Sequence, residues 1–136
     1  MDIYEELVMH YLCDGKPYMF LSPNFRLSKG WAFPDFVVLN HRDKVVSVVE
    51  VTTSVNPSGL VGTVQRRNVQ WLDKLKEQLQ GNAVVDDGWK YKVEVFVREE
   101  PARTFREKFA GESDVKIHVL DEKILCSWKW DWTERE

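Results

Sequence analysis

The residues from Phe33 to Thr53, FPDFVVLNHRDKVVSVVEVTT, constrain the fold more than any other stretch of the chain. Apolar and β-branched residues crowd both halves, and such runs favour pleated, mostly buried strands. Between them lies the polar turn Asn40-His41-Arg42-Asp43. The stretch therefore reads as an antiparallel hairpin, with one strand from Phe33 to Asn40 and the next from Lys44 to Thr53. Pro34 is tolerated at the start of the first strand because its missing N–H need not join the ladder. With the turn centred near residues 41–42, Asp35 pairs with residues 48–50. Side chains alternate faces, so Glu50 shares a face with Val48 and Thr52. Two carboxylates at the end of an apolar hairpin repel each other and are costly to desolvate unless something pairs them. A divalent cation held by carboxylate oxygens, water and a backbone carbonyl is one such partner. The alternative is two solvated acids at a sheet end.

At 136 residues the chain is read as a single domain with one core. A hydrophobic fraction of 43% and a charged fraction of 30% suit an ordinary globular protein. Net charge is −3, so no global basic field announces a nucleic-acid partner, although local patches can still bind phosphates. Cys13 and Cys126 form no CxxC pair and suggest neither a zinc site nor a disulfide framework. No apolar run reaches transmembrane length, and the first residues lack a signal-peptide pattern. The expected setting is reduced and cytoplasmic, with no membrane partner.

Several elements bear on the acids. Asp2 to Leu12 reads as a helix whose apolar stripe is Ile3, Tyr4, Leu7, Val8, Tyr11 and Leu12. Glu5 lies at the edge of that stripe and leans toward the core, while Glu6 lies nearly opposite. Pro17 to Ser22 is a short strand, and the loop after it carries Arg26 and Lys29, two cations placed to reach a phosphate near Asp35. After the turn signal Asn56-Pro57-Ser58-Gly59, a helix is expected from Val61 to Gln80, with Leu72, Leu75 and Leu79 on its buried face. Projecting back at about 100° per residue brings Gln65 and Asn68 toward that face and turns Arg66 and Arg67 away from it. Gln65 is thus a site candidate, and Arg66 and Arg67 are surface cations available to phosphates. Trp89–Arg98 and Val115–Leu120 alternate as strands. Between them, Pro101–Ala110 reads as a short helix. His118 falls on the face of Lys116, read as solvent-side. In the tail, Trp128, Trp130 and Trp132 alternate with Lys129 and Asp131. Those indoles cover the core, pack against a second copy in a homodimer, or stack on unpaired bases.

Pro34-Asp35, a hairpin, and then Glu50-Val51-Thr52 before a helix resemble the motif of the PD-(D/E)XK nuclease superfamily. The order of elements also resembles that superfamily's αβββαβ restriction-endonuclease-like core, an α/β fold with a central mixed sheet flanked by helices. The likeness spans roughly residues 1–120. It implies a metal-dependent nuclease acting on DNA or RNA, with Asp35 and Glu50 holding Mg2+ or Mn2+. It further implies a third ligand from the Val51 carbonyl, a contribution from Glu5 or Glu6, and a role for Gln65 on the following helix. The family's Lys falls at Thr52, which can hydrogen-bond but carries no charge. Either a cation such as Arg66 substitutes, or Gln65 positions the water, or the domain is catalytically degenerate and binds nucleic acid or a protein partner without cutting.

Overall fold

A computed structural model describes residues 3–22 and 33–125. Its elements are α1 (Ile3–Cys13), β1 (Met19–Ser22), β2 (Phe36–Asn40), β3 (Val45–Val51), α2 (Ser58–Gln65), α3 (Arg67–Gln70), α4 (Leu72–Gly81), β4 (Lys90–Val97), α5 (Glu99–Lys108), β5 (Val115–Val119) and a π-helical turn (Asp121–Leu125). The strands form one mixed sheet in the order β1-β2-β3-β4-β5. β1, β2 and β3 are antiparallel, and β3, β4 and β5 are parallel. The fold is therefore mixed α/β, with helices on both faces of the sheet.

The hairpin forms as the valine runs dictate. Phe36 faces Val49 and Asn40 faces Val45. The Asn40 side chain closes the turn by accepting the backbone N–H groups of Arg42 and Asp43 at 3.1 and 3.0 Å. Lys44 takes a positive φ of 56° where the chain re-enters the sheet.

Both faces of the sheet are apolar over much of their area. Val46, Val48, Val93, Val95 and Val97 meet Val61, Val64, Trp71, Leu75 and Phe105 of the later helices and their junctions. On the other face, Phe36, Val38, Val49, Phe96 and Leu120 meet Val8 and Leu12 of α1. No helix among the described residues is long and apolar enough to cross a membrane.

The expected Val61–Gln80 helix is three shorter ones. The backbone leaves helical geometry at Arg66 (φ −95°, ψ 14°) and again at Trp71 (φ −143°, ψ −20°). Trp71 is buried, and its indole N–H donates to the Thr63 carbonyl at 3.0 Å, which anchors α2 against the start of α4. Because the breaks reset the helical phase, the projection from Leu72, Leu75 and Leu79 fails upstream. Gln65 and Asn68 are exposed, and Val61, Val64 and Arg67 take the inner positions.

Arg67 is accordingly not a surface cation. Its guanidinium donates to Asp114 at 2.7 and 2.9 Å, to Glu112 at 2.7 Å and to the Val64 carbonyl at 2.9 Å. This clasp ties α3 to the loop before β5. Four of its five donors are committed to two carboxylates and a carbonyl, and the side chain is buried, so Arg67 is spent on the fold and not on a phosphate.

Candidate functional site

Asp35 precedes β2 and Glu50 is the penultimate residue of β3. Continuing the hairpin register one step beyond Phe36–Val49 sets Asp35 opposite Glu50. Paired residues share a face, so both acids end the row begun by Val46 and Val48. Asp35 is fixed there by the backbone: the Val51 N–H donates to its Oδ2 at 2.7 Å. Both residues are partly buried.

Glu50 is the strained member. Burial raises its pKa first, and the Asp35 carboxylate raises it further through hydrogen bonding and charge, with Glu5 of α1 adding a weaker repulsion. Together they push it up from 4.5 to about 10, so at neutral pH the close pair of carboxyls retains a proton. Its Oε2 is buried with no hydrogen-bond partner. Glu5 is half-buried and Glu6 exposed, as the helical projection expects.

The other expected site residues are dispersed. Val51 is buried, with its N–H committed to Asp35. Thr52 leaves the strand with its N–H on the Phe96 carbonyl at 3.0 Å, and its hydroxyl accepts the Ser54 N–H at 3.1 Å. Thr52 therefore shapes the turn out of β3. Gln65 is exposed on a groove of about 430 Å³ between α2 and α5, lined also by Pro57, Val61, Phe105 and Lys108. Neither Asp35 nor Glu50 lines that groove. Arg66 is exposed, with its guanidinium folded back over Gly62. Arg26, Lys29 and the tryptophan-rich tail lie outside the described residues. Among the described residues, no three His, Cys, Asp or Glu side chains form a ready-made metal shell.

One polar cluster went unread in the sequence. His118 and Glu94 are both buried, and His118 Nε2 lies 2.9 Å from Glu94 Oε1. Lys92 Nζ is 3.8 Å from Glu94 Oε2. Burial pushes the Glu94 pKa up, but the His118 hydrogen bond, the Lys92 and His118 charges and the Ser47 hydroxyl outweigh it, so the net shift is downward. The His118 ring stacks on Phe96 at 4.2 Å between centroids. The solvent-side expectation for His118 is thus corrected. Strand alternation gave its face properly, but α1 covers part of that face. The available signal was that sheets flanked by helices on both sides have no wet face to spare.

No protein-family model matches the chain, and no curated protein or solved structure matches it either.

Proposed function

We propose that the chain is a metal-dependent nuclease-like protein of the restriction-endonuclease-like class, hydrolysing phosphodiester bonds in DNA or RNA, with Mg2+ or Mn2+ held by Asp35 and Glu50. The observation that carries this reading is the cross-strand pairing of the two carboxylates, with a buried Glu50 oxygen left unpartnered. The αβββαβ order and the mixed sheet support it.

The residues present fit a hard cation. Carboxylate oxygens suit Mg2+, which commonly takes one or two protein carboxylates and completes its shell with water and substrate phosphates. A bound ion would supply Lewis-acid polarisation of the phosphate and a more acidic water. The chain's own residues do the rest. Asp35, held by the Val51 N–H, orients the pair, and Glu50 would have to give up its proton to serve as a ligand. The test is cleavage of plasmid DNA and single-stranded RNA with either ion. Asp35→Ala and Glu50→Ala should each fall to background while the fold persists, and retained cleavage in both would overturn the assignment.

Thr52 favours a second reading, in which the domain binds without cutting. The position that would carry an activating Lys instead caps a turn through its hydroxyl. Silence of the wild type in the same assay, with Mg2+-dependent cleavage gained by Thr52→Lys, would establish that reading.

A further inference from the structure

On the α1 face of the sheet, the apolar layer stops abruptly at one end. Register sets Ser47 beside Lys92, Glu94 beside Lys116 and Phe96 beside His118. Alternation carries Ser47, Lys92, Glu94, Lys116 and His118 to the same face. Three neighbouring strands thus turn polar together where the sheet passes beyond the C-terminal end of α1. Burying charge is costly unless it is matched, and here the matching is complete: Glu94 is held by His118, Lys92 and Ser47.

Above this floor lies a cavity of about 290 Å³, lined also by Lys16, Asn40, Asp43 and Tyr11. Its cations are Lys16, Lys92 and Lys116. Its anions are already engaged, Glu94 by His118 and Asp43 by Arg42 at 3.2 Å. Lys92 is shared with Glu94 at 3.8 Å, so the positive charge left in excess is that of Lys16 and Lys116. No arginine lines the cavity, so there is no planar fork for a carboxylate, whereas separate ammonium groups suit a tetrahedral anion as point charges. At about 30 Å³ per water the cavity has room for about ten, more than a bare phosphate fills.

We propose that this cavity binds a small phosphomonoester, with Lys16 and Lys116 on the phosphate, Lys92 between it and Glu94, and Asn40 and Tyr11 toward the organic part. The cavity opens on the face of the sheet opposite the Asp35–Glu50 pair, and the proposal does not rest on the nuclease reading.

The test is an amide NMR titration of the full chain with glycerol 3-phosphate and, separately, inorganic phosphate, against chloride at matched ionic strength. Saturable shifts should centre on Lys16, Ser47, Lys92 and Lys116, with the ester binding more tightly than inorganic phosphate. Lys16 is half-buried and Lys116 exposed, so Lys16→Met/Lys116→Met should fold, which unchanged shifts elsewhere would verify. That double variant should weaken binding about tenfold or more, as loss of charge-assisted contacts implies. The exposed-site control Lys74→Met should change nothing. No saturable response by about 50 mM ligand would overturn the proposal, since binding that weak is not a site. Equal weakening in Lys74→Met would also overturn it. An ester weaker than inorganic phosphate would overturn the assignment to a phosphomonoester.

Discussion

Glu50 on β3 and Glu94 on the neighbouring β4 are carboxylates largely withdrawn from water, yet they are driven in opposite directions. Glu94 faces a histidine, a lysine and a hydroxyl, and stays ionised below the usual carboxylate range. Glu50 faces Asp35 and Glu5, and is pushed up to about 10. Burial raises both, so burial cannot be the difference. Partners decide, because a buried charge survives only where opposite charge and hydrogen bonds replace the lost water. The two acids lie one residue apart on paired strands, on opposite faces of the sheet. On one face the charge is matched by its neighbours; on the other it is opposed by them.

The contrast breaks most sharply under substitution. His118→Leu should cost about 3–5 kcal/mol in urea denaturation, the usual penalty for stranding a buried charge. Glu50→Gln, which keeps the shape of the protonated acid, should be near neutral under the same conditions. Comparable losses in the two variants would erase the distinction between the sites.

The pH dependence of stability sharpens it further. The folded Glu50 keeps a proton that the unfolded chain releases above 4.5, so the folded state binds more protons between there and about 10. Its stabilising contribution is present at low pH and lost as pH rises through that window, by at most about 1.4 kcal/mol per pH unit. Glu94 behaves oppositely. Its contribution is present above the ordinary carboxyl range and lost as pH falls through its lowered value. Denaturant midpoints measured at about pH 6 and about pH 9 should diverge between wild type and Glu50→Gln, the variant gaining at the higher pH. Parallel profiles would show that Glu50 titrates normally.

A smaller effect should follow from Asp35→Asn. It keeps an acceptor for the Val51 N–H but removes the nearest like charge. The Glu50 pKa should fall toward its ordinary value, read by carboxyl-carbon NMR, while burial still holds it above 4.5. An unmoved Glu50 would mean that Asp35 is not its perturber.

The hairpin and its acids were legible because their cause is local. Valine runs and an Asx turn set the register within a residue, and register alone brings Asp35 to Glu50. The Gln65 placement failed because helical phase carries only through unbroken helix, and Arg66 and Trp71 interrupt it. Arg67 was misread for the same reason, since its partners Glu112 and Asp114 lie 45 and 47 residues away. His118 was misread because alternation names a face without naming what covers it. Arg26, Lys29 and Trp128 to Trp132 stand where the structure gives no description to set against the sequence.

The proposed cation site at Asp35 and Glu50 requires that a divalent ion and the proton on the pair compete for the same oxygens. Calorimetric titration of Mn2+ and Mg2+, with and without a short DNA duplex and in buffers of different ionisation enthalpy, tests it directly. Binding should strengthen with pH, release about one proton per ion at neutral pH and disappear in Glu50→Ala. Binding that survives in Glu50→Ala, binding without proton release, or no binding under either condition would contradict it.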